Sequence, residues 1–219
     1  MNDNKMKNLR NFNEIDNSFS PDENYNLHVQ GFLRIFDPQT EEVFISKRNA
    51  IHYENFSVGL AQAMSNQGRG FIHSMAFGNG GTRIDSTGII TYRTPNNIGS
   101  NSGLYSQTYK KIVDARDPAN FDPARNFMEV RHRTGTYYSD ILVSCLLDFG
   151  EPTDQFAFDN QTNTNGNYTF DEIGLFSNNL SQDESSLLTH VIFHPVQKSL
   201  NRLIQIDYTV RIQSLSSGT

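Results

Sequence analysis

The sequence contains no tryptophan and a single cysteine, Cys145, among its 219 residues. One cysteine forms no intrachain disulfide and no cysteine-based zinc cluster. Cys145 lies in the apolar run 141–147, where a thiol reads as a small buried hydrophobe. A reactive thiolate needs an electropositive, partly exposed setting, and the run offers none. Basic residues are also few: 18 Lys and Arg stand against 24 Asp and Glu, a net charge of −6. A non-specific nucleic-acid binder carries the opposite excess, so no direct nucleic-acid contact is expected. No apolar stretch approaches the roughly 18 residues of a membrane span, so no membrane partner is expected. Residues 1–17 lack an apolar core, so no secretory signal is expected.

What is present is aromatic and polar at once. Mean hydropathy is −0.55, polar for a globular chain, yet 16 Phe and 9 Tyr argue against disorder throughout. Residues 1–24 read as a polar, aperiodic arm, flexible or ordered on a neighbouring subunit. Residues 25–219 read as one β-sandwich domain. In 27–36, Leu27, Val29, Gly31, Leu33 and Ile35 alternate with Phe32 and Phe36, the period of a strand. A turn at 37–40 and a short strand at 43–45 complete a hairpin. Tyr53, Phe56, Leu60, Ala63 and Met64 then recur at helical spacing, predicting a helix at about 53–66 that covers a sheet. His52 or Asn55 caps its start, and Asn66, Gln67 and Gly68 end it. Further strands are expected at 71–77 (central), 89–92, 104–113, 129–133, 137–149, 168–176, 187–193 and 203–213. In the last, Ile204, Ile206, Tyr208, Val210 and Ile212 face inward. The expected fold is mainly β: an antiparallel β-sandwich with long loops and one short α-helix.

Candidate chemistry is sparse. Gly78, Asn79, Gly80 and Gly81 resemble a phosphate cradle, but no Lys and no helix follow them. They read instead as a structural loop whose glycines allow positive φ where the chain leaves a central strand. Residues 161–172 approach a calcium-loop pattern, with Asn163, Asn165, Gly166 and Glu172 in place, but Gln161 replaces the first acid. An Asn-rich hairpin loop is the better account. Asp171 and Glu172 are neighbours, and strand alternation sends them to opposite faces. His190 and His194 lack a third ligand for zinc. No catalytic residue, metal ligand or cofactor is expected, and the chain reads as non-enzymatic. Arg125, Arg131 and Arg133, with Tyr137 and Tyr138 close by, form a possible interface for an acidic neighbour.

Five segments in order carry a resemblance: 49–52 (NAIH), 76–82 (AFGNGGT), 90–96 (ITYRTPN), 104–109 (LYSQTY) and 170–176 (FDEIGLF). They resemble a family of virion structural proteins of T4-like, contractile-tailed bacteriophages, notably of marine and cyanobacterial hosts. The resemblance spans about residues 27–213, although 187–213 looks closer to the closing strands of other phage tail and fibre-associated proteins. It implies a virion component of the neck, tail or baseplate, made in the bacterial host cytoplasm. The implied partners are the protein itself, in a symmetric homo-oligomer such as a ring, and other virion proteins. Contacts are expected from the arm and from the loops at 94–103 and 151–167. The competing expectation is a receptor- or carbohydrate-binding β-sandwich on a fibre, presenting Tyr92, Tyr105, Tyr109, Tyr137 and Tyr138. The missing tryptophan, the usual sugar platform, weighs against it.

Overall fold

β12 (Ile204–Ser216) has the cleanest alternation in the chain and sits at the middle of a five-stranded sheet. The computed structural model describes residues 25–99, 103–152, 167–178 and 185–216. Around β12 the order is β2 (Val43–Arg48), β1 (Tyr25–Phe36), β12, β9 (Tyr138–Leu147) and β8 (Phe127–His132). The second sheet runs β3 (Ala50–Ile51), β11 (Leu187–Ser199), β10 (Asn167–Ser177), β4 (Ile72–Gly78) and β7 (Gln107–Ile112). β5 (Thr82–Ile84) and β6 (Ile90–Tyr92) form a separate hairpin. Every pairing is antiparallel.

Register explains the core. Leu33, Tyr208 and Val143 lie side by side across β1, β12 and β9, all buried. Met75, Phe77, Phe170 and Ile173 of the second sheet join them in one cluster. Phe170 meets Phe77 and Phe193 edge-on at centroid distances of 5.6 and 5.8 Å, the arrangement favoured by ring quadrupoles. Cys145 is buried in this cluster, and burial pushes its thiol up to about 12.

The expected β-sandwich is present, with differences in detail. β3 and β5 are too short to show a period, and sequence reading misses both. β11 runs six residues past its expected end, through Pro195. Its register against β10 shifts between Phe170 and Glu172, and that bulge accommodates a residue that cannot donate to a ladder. Phe149, at the end of the strand expected over 137–149, lies beyond the end of β9 and is 52% exposed.

The helix, α1 (Tyr53–Met64), starts at the His52 cap, whose Nδ1 accepts the Asn55 N–H at 3.2 Å. It stops before Asn66 and Gly68, both at positive φ. Its buried face is not the expected one. Asn55 and Gly59 are the buried residues, while Tyr53 and Met64 are exposed. The Asn55 amide donates to the Leu187 carbonyl, and Gly59 lies against the Gly70 backbone, where a Cβ would come within 2.9 Å of the Gly70 oxygen. Phe56 and Leu60 are left half-buried. Among the described residues no helix is long and apolar enough to cross a membrane.

A buried carboxylate and histidine network as the candidate functional site

β4 ends at Gly78 directly opposite Glu172 of β10. The chain then crosses over the acid. Glu172 is completely buried and takes four hydrogen bonds. Its Oε1 accepts the Ser106 N–H at 2.8 Å and the Gly80 N–H at 3.1 Å. Its Oε2 accepts the Tyr105 N–H at 3.0 Å and faces His190 Nε2 at 2.9 Å. His190, on β11, is also completely buried, and its Nδ1 accepts the Asn96 N–H at 2.9 Å. The ring proton therefore sits on Nε2 and points at the carboxylate. Burial raises the Glu172 carboxyl, but His190 and the backbone donors outweigh it and hold the pKa below the ordinary value.

Asp171 is nearly as buried and binds the same loop. Its carboxylate accepts the Gly81 and Thr82 N–H groups, each at 2.8 Å, and the Thr82 hydroxyl. Here burial wins, helped by the charge of Glu172, and the pKa is raised despite these donors. Alternation was expected to separate the two acids. The β10–β11 bulge is centred on Asp171, and both carboxylates reach successive amides of one loop.

The glycine loop is thus an anion cradle whose anions belong to the chain itself. Positive φ is not the reason for its glycines: Gly78, Gly80 and Gly81 are absent from the positive-φ positions. The reason is close approach. A Cβ on Gly78 would lie 2.5 Å from Glu172 Oε1, and one on Gly80 would lie 2.7 Å from Tyr105 Cβ and 2.8 Å from Ser106 N. Asn79 continues the contact, its N–H donating to the Ser106 carbonyl at 3.1 Å.

Two more groups extend the network. His52 Nε2 bonds the Gly99 carbonyl at 2.9 Å, and Asn96 donates its side-chain amide to the Gly103 carbonyl at 2.7 Å. The Tyr105 ring packs beside His190, and the Arg93 guanidinium lies 4.5 Å from the centroid of the Tyr105 ring. A carboxylate offers about four acceptor sites. Those of Glu172 are met by protein donors, which suits it to pinning 80, 105–106 and 190 together. Glu172 is therefore committed to this network rather than to the twelfth place of a calcium loop; 161–166 lie outside the described residues. Among the described residues no group of three or more His, Cys, Asp or Glu is placed to hold a metal ion. His194, exposed, meets the Tyr92 hydroxyl at 3.2 Å rather than joining His190.

The possible interface residues separate. Arg131, Arg133, Tyr137 and Tyr138 share the hairpin formed by β8 and β9. Arg131 is paired with Glu129, and the Arg211 guanidinium lies 4.0 Å over the Tyr138 ring. Arg125 precedes β8, about 20 Å of strand away from the hairpin turn, and is occupied by Asp122 and Asp148. The five tyrosines of the carbohydrate reading make no single platform. Tyr92 and Tyr105 lie by the glycine loop, Tyr137 and Tyr138 on the hairpin, and Tyr109 is half-buried in β7. Sequence reasoning named His52 as a cap and weighed His190 only for zinc; it missed the part both play in this network, and it missed Asn96. The available signal was an acid and a histidine inside otherwise apolar strands. Comparison of the chain with family models, with curated proteins and with solved structures gives no match.

Proposed function

We propose that the chain is a non-enzymatic structural subunit of a tailed-phage virion, forming a symmetric homo-oligomer in the neck, tail or baseplate and contacting other virion proteins. The observation that carries this reading is the β8–β9 hairpin. β8 is an edge strand, and the turn that joins it to β9 holds Tyr137 81% exposed on the same hairpin as Arg131 and Arg133. An open strand edge bearing apolar side chains is a template for another chain. Arginine and tyrosine are the residue types that concentrate binding energy at interfaces. The groups most suggestive of ligand chemistry, the glycine loop and its two acids, are engaged with each other, which favours a scaffold. The resemblance in 49–52, 76–82, 90–96, 104–109 and 170–176 supplies the virion setting.

Sedimentation of the full chain tests this. Association is expected, and Tyr137→Ala with Arg133→Glu weakens it roughly tenfold or more, the effect of losing at least ~1.4 kcal/mol of contact. A chain that stays monomeric at high concentration, and that mass spectrometry does not find in particles, refutes the proposal.

A further inference from the structure

The apolar stripe of α1 does not close onto the sheet it faces. Phe56 and Leu60 stand opposite Met128, Val130, Ile141 and Ile212 of the first sheet, across an open cleft of about 240 Å³. Cavities of ~150 Å³ lined by such residues already hold a benzene ring. This one accommodates an aromatic ring and an aliphatic side chain together. Val130, on its wall, is 72% exposed.

Residues 1–24, outside the described residues, have the composition to fill it. Although the segment is polar overall, Leu9, Phe12, Ile15 and Phe19 recur at intervals of three and four, within about 120° of one another on a helix. The segment is therefore less aperiodic than its composition suggests. Its point of entry is also favourable. In β1, Val29 lies opposite Ile212 of the cleft, and Leu27, one inward position earlier, is 56% exposed. From Tyr25 to the Ile212 wall of the cleft is one strand spacing across and four residues back along the strand, about 14 Å. Residues 20–24, extended, span about 17 Å.

We propose that the cleft between α1 and the first sheet is the docking site of residues 9–19 of the same chain, with Phe12 and Ile15 as the inserted side chains. A short tether gives a high effective concentration, so a modest apolar contact is enough to hold the segment. The docking is intramolecular and does not depend on assembly.

The full chain carrying Phe12→Trp tests this, because the sequence has no other tryptophan to contribute fluorescence. The expected emission is blue-shifted, shielded from acrylamide and unchanged on dilution. Adding Val130→Asp removes the shift, while Phe121→Asp, at a 95% exposed position outside the cleft, leaves it. Ile15→Asp removes it without altering the sheet, which separates undocking from any misfolding of the Val130 variant. A solvent-like emission in the Phe12→Trp chain overturns the proposal, as does a shift that survives Ile15→Asp. A shift that disappears on dilution assigns the segment to a neighbouring copy and overturns it equally.

Discussion

Replacing Glu172 by Gln changes one atom and disturbs four hydrogen bonds. The carboxylate receives Gly80 N–H and Ser106 N–H on one oxygen, and Tyr105 N–H and His190 Nε2–H on the other. Glutamine keeps one oxygen and offers an NH₂ where the second stood. One pair of donors then faces another donor with no water to turn to, because the site is completely buried. A bond to a charged acceptor contributes ~1.5–3 kcal/mol, so losing two costs about 3–6 kcal/mol. The surviving pair also weakens, since its acceptor is now neutral. Against this, the variant no longer buries a charge, and the expected net loss is about 3–5 kcal/mol. That is a large part of the ~5–15 kcal/mol of a typical domain.

Urea unfolding followed by circular dichroism measures the loss, with the slope checking that the unfolded state is unchanged. The pH dependence has a definite sign. Glu172 titrates below its ordinary value of 4.5 in the fold, so its contribution is complete above that pH. It is lost as pH falls through the lower folded value, and parent and variant converge in acid. A loss under about 1 kcal/mol at neutral pH would mean that the donors find other acceptors, and the network would not be what holds the loops.

Three further outcomes are expected. Gly80→Val drives a side chain into Tyr105 and Ser106 and costs at least ~2–3 kcal/mol by overpacking, read as a lower urea midpoint; an unchanged midpoint would refute the close-approach argument. Lys198 is completely buried, donates to the Ser199 carbonyl at 2.7 Å, and is pulled down to about 8 by burial against the raising influence of Glu151 and Asp148. Its charge therefore costs stability below pH 8, and the cost fades as pH rises to the ordinary 10.5. Lys198→Met is expected to stabilise the fold by about 2 kcal/mol at neutral pH, with the difference from the parent vanishing in strong base; equal stability at both pH values would refute it. Cys145, buried and pushed up to about 12, is expected to react with a thiol reagent only at the rate of unfolding; labelling at the rate of a free thiol would place it outside the core.

Most of the strands were legible because a half-buried strand writes its period into a few residues. Ile204, Ile206, Tyr208 and Val210 face the core as the alternation requires. α1 was legible as a helix, but its packing was not. Its buried contacts are an Asn55 amide on the Leu187 carbonyl and a Gly59 backbone approach to Gly70. Neither is written as hydrophobicity, so the apolar stripe pointed to a face that lies half open.

The network was legible only in pieces. The glycine loop and the adjacent acids both stood out, but Glu172 meets its three backbone donors at sequence separations of 66 to 92 residues, and periodicity carries no information at that range. A row of loop amides has the same sequence signature whether its anion arrives in a ligand or is already in the chain. What decides between them here is an acid on the strand paired with the one that the loop leaves: Gly78 of β4 is in register with Glu172 of β10. The resemblance segments acquire a physical meaning from the same geometry. Residues 76–82 supply the cradle and 170–176 its two carboxylates. Residues 104–109 supply two of the donors to Glu172, and 90–96 the amide that orients His190. In 49–52, His52 ties the helix start to Gly99. The five segments are thus the parts of one buried device that fixes where the loops leave the sandwich, which suits the proposed subunit, whose copies would all present the same loops.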